Sequence, residues 1–174
     1  MLRYAVNISM LFKEVPFLER FEKTAEAGFN AVEFLWPTGI DPDDLVCTSQ
    51  KTGVKVILFN VDSGDVAAGD RGFASWPERV EWWRDRFAAA LNLASRLGCP
   101  RINVQVGNEI PGRERAAQTE CLVRNLAWAA PRAADAGVTL MLEALNRFEH
   151  PHYLHYHTEH IVEVLDAVGA PNLK

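Results

Sequence analysis

At five places in the chain a glycine separates an amphipathic segment from a short apolar one. Two of the apolar segments read VKVILF and VTLMLE, and the glycines are Gly28, Gly53, Gly98, Gly137 and Gly169. Glycine just past a helix adopts the left-handed conformation at little cost, so it ends the helix and turns the chain back. Strands with such continuous apolar character are expected where both faces of a sheet are buried. The pattern therefore predicts an α/β fold built on a parallel sheet.

The same pattern sets the approximate bounds of the elements. Pro77 suits the first turn of a helix, and Thr158 suits an N-cap. Residues 80, 83, 87, 90, 91 and 94 form an apolar stripe at helical spacing, and Trp82 falls off it, as expected at a rim or contact. The predicted strands are 3–8, 31–35, 54–59, 101–106 and 138–143, and the predicted helices are 16–27, 42–52, 77–97, 114–136 and 158–168.

The spacing of the strands bears on the architecture. Strand starts lie about 34 residues apart, so eight units would need about 270 residues, close to the (β/α)8 barrel of about 250. The chain holds five such units and the beginning of a sixth strand near residue 172. A five-stranded doubly wound sheet also fits this count. No G-x-G-x-x-G follows the first strand, which argues against a nucleotide-binding version of that fold.

Composition narrows the class of protein. The 174 residues are 48% hydrophobic and 24% charged, with a net charge of −5 and no basic run. These values predict a globular protein that does not bind nucleic acid. Neither a signal-peptide pattern nor an apolar stretch of about 20 residues is present, so we expect a cytoplasmic protein without a membrane partner. Cys47, Cys99 and Cys121 are widely spaced and predict free, mostly buried thiols.

Each predicted strand has a polar residue at or near its carboxyl end. These residues are Asn7, Glu33, Asn60, Gln105 and Glu143. The carboxyl ends of parallel strands meet at one edge, where active sites lie, so we expect a shared polar pocket. Glu33 could instead pair with a neighbouring Arg or Lys. Glu143 follows a strand expected to be buried, and an unpaired buried carboxylate is costly, so it is predicted to be a catalytic base or metal ligand rather than a structural ion pair.

Two further segments carry candidate site residues. The long connection 60–76 contains Arg71, which could bind a substrate carboxylate through two parallel hydrogen bonds or form a salt bridge with Asp65 or Asp70. All five histidines fall within HPHYLHYHTEH, residues 150–160. No cysteine lies near them, so most are predicted to be surface residues rather than zinc ligands.

Three separated motifs support a family resemblance. The opening LRYAVNISMLFKEVPFLERFEKTAEAGFNAVEFLWP, the loop FNVDSGDVAAGDRG, and LMLEALN followed by PHYL together resemble the hydroxypyruvate isomerase family. That family belongs to the xylose-isomerase-like TIM barrels and includes 2-oxo-tetronate isomerases. The resemblance implies a (β/α)8 barrel that interconverts α-hydroxy carbonyl isomers with two glutamates and a divalent metal. It implies that Glu143 is the acid/base and a metal ligand, and that Asn60, Asp65, Arg71 and His152 line the pocket.

The chain departs from this family in two ways. Family members have about 250–260 residues, in keeping with a full barrel, whereas this chain ends at Lys174. We therefore expect residues 1–174 to form one domain that lacks its C-terminal third. The second glutamate and the other metal ligands are expected to lie in that missing third. Phe59-Asn60 replaces the His-Asn associated with hydroxypyruvate isomerases, which favours the 2-oxo-tetronate branch.

The implied chemistry requires removal of a C–H proton next to a carbonyl. A carboxylate would shuttle that proton, and a hard divalent ion would stabilise the enediolate. Oxygen-rich residues favour Mg or Mn over Zn. The alternatives are a sugar epimerase of the same superfamily and a non-catalytic sugar-acid-binding protein. A zinc endonuclease of abasic DNA is disfavoured by the bunched histidines and the acidic charge. The expected partner is a small hydroxy-keto acid, together with a possible second copy of the chain.

Overall fold

The computed structural model describes residues 2–174, in which parallel strands alternate with helices. Among these residues no helix is long and apolar enough to cross a membrane. In chain order the elements are β1 Val6–Asn7, α1 Glu19–Glu26, β2 Ala31–Phe34, α2 Pro42–Thr52, β3 Lys55–Asn60, a 3-10 turn Pro77–Arg79, α3 Val80–Leu97, β4 Arg101–Asn103, α4 Arg115–Asp135, β5 Thr139–Met141 and α5 Thr158–Val168.

The five strands form one parallel sheet in sequential order, β1-β2-β3-β4-β5. Consecutive helices also contact one another, from α1 with α2 through to α4 with α5. A doubly wound sheet reverses its strand order at a switch point, and this sheet does not, so that alternative is wrong. Leu173 makes a parallel bridge to Leu140, which places the sixth strand segment beside β5. This is the order of consecutive units in a (β/α)8 barrel.

The predicted helix ends agree well with the structure because local signals define them. Helices α2 and α5 have the predicted bounds. Gly53, Gly98 and Gly169 follow α2, α3 and α5 with φ of 70°, 62° and 66°, the left-handed conformation expected of them. Thr158 was predicted as an N-cap, but it is the first residue of α5, and His157 occupies the N-cap position without a side-chain hydrogen bond.

Strands β4 and β5 are shorter than predicted. Strand β4 ends at Asn103 rather than at residue 106, because the backbone beyond it bonds to loops instead of strands. The Val106 N–H donates to the Tyr153 hydroxyl at 2.8 Å, and the Val106 carbonyl accepts from Ser75 N–H at 3.0 Å. The end of β4 is therefore held between the loop after β3 and the segment after β5.

The core lies between the sheet and the helices. On α3 Trp83, Phe87, Ala90 and Ala94 are buried as predicted, whereas residues 80 and 91 of the predicted stripe are only half-buried and Leu93 is buried as well. Off this stripe, Trp82 is half-buried with its ring 5.1 Å from that of Phe73, which confirms a contact position. Of the three free thiols, two are buried and Cys47 is exposed.

Candidate active site at the carboxyl ends of the strands

Two pairs of polar side chains meet where neighbouring strands end. Asn7 on β1 lies beside Glu33 on β2, and the Asn7 amide donates to the Glu33 carboxylate at 3.2 Å. The partner of Glu33 is thus a neutral amide, so the predicted alternative of an ion pair with Arg or Lys is wrong. Asn60 on β3 lies beside Asn103 on β4 in the same register position.

Asn103 connects three strand ends through one amide group. Its Nδ2 donates to Asn60 Oδ1 at 3.2 Å and to Glu143 Oε1 at 2.8 Å. Only 5% of Asn103 and 6% of Asn60 is exposed. The opposite amide orientation would set Asn103 Oδ1 against two acceptor oxygens, so this orientation is favoured. As a consequence Oδ1 is buried without a hydrogen-bond partner within residues 2–174.

Glu143 lies two residues beyond β5 and is exposed. The expectation of a buried carboxylate is therefore wrong, and desolvation does not by itself demand a cation there. What holds Glu143 in place is the hydrogen bond from Asn103, a residue that the sequence analysis missed. Asn103 and Gln105 have the same parity in RINVQV, so alternation could not choose between them.

Gln105, the residue chosen on β4, serves a different contact. It is buried and hydrogen-bonds to the Ser63 hydroxyl in the loop after β3. The Gln105 backbone also packs against Gly72 of the same loop. Gln105 thus holds the loop after β3 and has no hydrogen bond to Glu143.

Tyr153 is a second residue that the sequence analysis missed. The side chain is 1% exposed, and its hydroxyl accepts a hydrogen bond from Val106 N–H at 2.8 Å. Burial raises the pKa of Tyr153, and the nearby Glu143 carboxylate raises it further. The phenol therefore stays protonated at neutral pH. The signal was available in PHYL, since a buried tyrosine needs a polar partner.

His152, the residue selected from PHYL, lies elsewhere. It is exposed and lines a separate cavity of about 340 Å³ with Glu109, Arg113 and Gln118. The His152 backbone carbonyl accepts from Glu109 N–H at 2.7 Å. The structure does not bring its side chain to the Asn60, Asn103 and Glu143 group.

Arg71 lies in the loop after β3 and reaches the segment after β5. Its Nε donates to His150 Nδ1 at 3.0 Å, and its Nη1 donates to the carbonyl oxygens of Val66 and Asp70 at 3.0 and 2.6 Å. No carboxylate within residues 2–174 forms a salt bridge with it, so the predicted alternative of a bridge to Asp65 or Asp70 is wrong.

Asp65 shapes this loop and also faces a cavity. Its carboxylate accepts from Ala68 N–H at 3.0 Å, and its own N–H donates to the Asp70 carboxylate at 2.9 Å. The cavity has a volume of about 780 Å³, suited to a small molecule, and its lining includes Ser9, Phe17, Trp36, Asp62, Asp65 and Trp82.

The donor chemistry of the strand ends suits a hard cation. Glu143 supplies a carboxylate, and its neighbours supply amide groups, which favours Mg²⁺ or Mn²⁺ over softer metals. Residues 2–174 contain no group of three or more His, Cys, Asp or Glu side chains placed to hold a metal ion. Glu143 could therefore contribute one ligand to such an ion, and the residues described here do not complete a coordination sphere.

The histidine-rich segment holds one buried member. His155 is 3% exposed, and its Nε2 lies 3.4 Å from Thr119 Oγ1. Burial, followed by the charges of Arg115 and His160, lowers the pKa of His155 to about 4. This histidine is thus a neutral core residue and the one buried member of a group of which most were predicted to lie at the surface.

Comparisons with known proteins give a consistent assignment. A family model described as xylose isomerase-like TIM barrel matches residues 21–174. The chain is 37% identical over 98% of its length to the 2-oxo-tetronate isomerase of Pectobacterium atrosepticum, and 39% identical over 100% of its length to the hydroxypyruvate isomerase of Escherichia coli K12. It covers 65% and 67% of these proteins, so it spans about two thirds of the length of the curated relatives it matches.

A solved structure matches equally well. The crystal structure of an AP endonuclease, family 2, from Brucella melitensis superposes with a TM-score of 0.94 at 38% identity. The match covers 99% of this chain and 67% of that one.

Proposed function

Because the chain belongs to the xylose isomerase-like TIM barrel family, we propose that this protein is a metal-dependent isomerase of small hydroxy-keto acids. Relatives named 2-oxo-tetronate isomerase and hydroxypyruvate isomerase support the substrate class. The observation that carries the proposal is the Glu143 carboxylate, held by Asn103 at the carboxyl ends of the strands.

The residues around Glu143 suit a proton shuttle. Isomerisation moves a carbonyl to the neighbouring carbon, so one C–H proton must leave and another must be added to the adjacent carbon. Glu143 is exposed and can reach a substrate, and its carboxylate can accept the first proton and return it. The hydrogen bond from Asn103 orients the carboxylate, while the protonated Tyr153 hydroxyl adds a neutral polar group nearby. The electron pair of the broken C–H bond forms a double bond between the two carbons, and the negative charge falls on the former carbonyl oxygen, which gives the enediolate. The proton of the neighbouring hydroxyl passes to that oxygen, and the first proton returns to the adjacent carbon, so the carbonyl has moved by one position.

Other groups would hold the substrate during this transfer. A divalent ion bound in part by Glu143 would act as a Lewis acid and stabilise the negative charge of the enediolate. Arg71 would bind the substrate carboxylate from the loop after β3. Asn60 anchors the end of β3, and Gln105 anchors the loop after β3. The substrate would lie between that strand end and that loop.

The two acids named by the relatives, hydroxypyruvate and 2-oxo-tetronate, both fit this chemistry. At the position of the sequence difference that favoured the second acid, Phe59 is fully buried and its ring stacks on that of Phe34 at 5.6 Å. It therefore offers no polar group to either acid, and we propose both acids as substrates to be compared directly.

A DNA-repair function is less well supported. Zinc endonucleases of this barrel type would need histidines on several strand ends and a basic face. Here the strand ends carry Asn60, Asn103 and Glu143, and all the histidines lie within residues 150–160. The net charge of −5 also opposes DNA binding.

Replacing Glu143 by glutamine in the full-length protein tests the proposal. The substitution keeps the volume and removes the base, so kcat for hydroxypyruvate and 2-oxo-tetronate should fall at least about 100-fold, within the usual contribution of a general base. Glu149→Gln is the matched control, since this exposed carboxylate in the same segment hydrogen-bonds, within residues 2–174, to the Asn146 side chain alone. Exchange of the substrate C–H proton in heavy water gives an independent readout.

Retention of more than a tenth of wild-type kcat by Glu143→Gln would contradict the assigned role. Binding of either acid without turnover by the wild-type protein would favour the non-catalytic sugar-acid-binding alternative. Turnover of a neutral ketose in preference to both acids would favour a sugar epimerase.

A further inference from the structure

The contact between Arg71 and His150 has a consequence for substrate binding. We propose that His150 competes with the substrate for Arg71: it occupies the edge of the guanidinium that a substrate carboxylate needs, and the carboxylate must displace it to bind. The inference rests on the proposed function, in that the carboxylate is the one carried by the hydroxy-keto acid.

The hydrogen bonds of Arg71 determine which of its edges is accessible. A guanidinium binds a carboxylate with two parallel hydrogen bonds through either the Nη1/Nη2 edge or the Nε/Nη2 edge. Nη1 already donates to the carbonyl oxygens of Val66 and Asp70, which closes the first edge. On the second edge Nε donates to His150 Nδ1, and Nη2 makes no hydrogen bond within residues 2–174. A carboxylate can therefore bind through two bonds only if His150 leaves Nε.

The two sets of partners differ in how easily they can be exchanged. Val66 and Asp70 belong to the same loop as Arg71, within five residues of it, so releasing Nη1 would require the loop to refold. His150 lies 79 residues away on the segment after β5. Its backbone N–H is held by the Asn146 carbonyl at 3.0 Å, so the imidazole can turn aside while the backbone stays in place.

The chemistry of the acceptor decides which ligand can make the exchange. His150 accepts at Nδ1, so that nitrogen carries no proton and the ring is a neutral acceptor. A bond from a guanidinium to a carboxylate is roughly twice as strong as one to a neutral acceptor, and a carboxylate gains a second bond to Nη2. The acid therefore displaces the imidazole, and the cost of displacement weakens its binding by a fixed factor. A hydroxyl group gains neither advantage, so a neutral hydroxy-ketone is weakened by at most the same factor.

Substitutions at position 150 test this inference in the full-length protein. In His150→Ala, KM for hydroxypyruvate should fall about three- to tenfold, the range expected for removing one competing hydrogen bond, with kcat within about twofold of wild type. D-glycerate, which keeps the carboxylate but has no carbonyl to isomerise, should bind more tightly by the same factor in calorimetry. Activity on dihydroxyacetone, which has no carboxylate, should rise by no more than this factor. His150→Gln keeps an acceptor and should restore values close to wild type.

Two controls separate this effect from general disturbance. His157→Ala removes an exposed histidine at the start of α5 and should leave KM unchanged. In an Arg71→Ala background the His150→Ala substitution should no longer change D-glycerate binding, because the guanidinium for which His150 and the ligand compete is absent.

Unchanged KM and unchanged D-glycerate binding in His150→Ala would refute the inference. A raised KM would also refute it, since His150 would then support Arg71 rather than compete for it. Failure of the proposed function is a distinct result: the wild-type protein would convert neither acid, while tighter D-glycerate binding in His150→Ala would still identify a carboxylate site gated by His150.

Discussion

Gly72 lies where the loop after β3 passes closest to the end of β4, and replacing it with alanine should destabilise the protein strongly. Its φ is +90°, a conformation that residues with a side chain rarely adopt. A Cβ at this position would lie 2.3 Å from the backbone oxygen of Gln105 and 2.9 Å from its carbonyl carbon. Because both obstructing atoms belong to the backbone, no side-chain rotation can relieve the overlap.

Gly69 in the same loop offers a matched control. Its φ is +103°, yet an added Cβ would meet nothing within 4 Å. Gly69→Ala should therefore lower the free energy of unfolding by about 1–3 kcal/mol, the cost of the strained backbone alone. Gly72→Ala adds an overpacking cost of about 1–3 kcal/mol, giving about 2–6 kcal/mol in total. That is a large part of the roughly 5–15 kcal/mol that typically stabilises a domain.

Equilibrium unfolding in urea measures both values under the same conditions. The difference between the two variants isolates the steric cost of the contact with Gln105. Gly72→Ala should also displace Gln105 from Ser63 and raise KM for a hydroxy-keto acid, whereas Gly69→Ala should not. Equal destabilisation by the two substitutions would show that the loop does not approach β4 as closely as described, and would refute the reasoning.

Two further predictions concern buried polar groups. Asn103→Ala removes the only side-chain donor to Glu143 within residues 2–174, so kcat should fall about 10- to 100-fold, the equivalent of one bond to a charged group, while KM changes little. Asn7→Ala removes the donor to Glu33 instead and should lower kcat less. Equal effects of the two substitutions on kcat would contradict the assigned role of Asn103. His155 has a pKa lowered to about 4, against about 6.5 in the unfolded chain, so the unfolded state binds more protons between these values and stability falls as the pH drops through that window. Between pH 7.5 and pH 4.5 the free energy of unfolding, measured in urea, should fall by up to about 3 kcal/mol more in wild type than in His155→Phe. An equal fall in the two proteins would overturn this expectation.

The sequence by itself determined the local features of this protein. The glycines that end α2, α3 and α5, and the bounds of α2 and α5, depend on backbone preferences within a few residues, and all were predicted correctly. The existence of five strands was also predicted, because continuous apolar segments between glycines favour buried strands. The polar residues at strand ends were found for β1, β2 and β3, where the polar residue is the last or the last but one of the strand.

Only the tertiary structure decided which of these residues meet. Alternation places Asn103 and Gln105 on the same face of the predicted strand 101–106, and the register with Asn60 shows that Asn103 is the one that reaches Glu143. The contact of Arg71 with a histidine 79 residues away depends on two loops meeting above β4, which no local pattern encodes. The sequential strand order likewise depends on how successive units pack, because the same alternation of helix and strand is compatible with a doubly wound sheet. Local preferences act through neighbouring backbone atoms, whereas these pairings arise from the packing of segments that lie far apart along the chain.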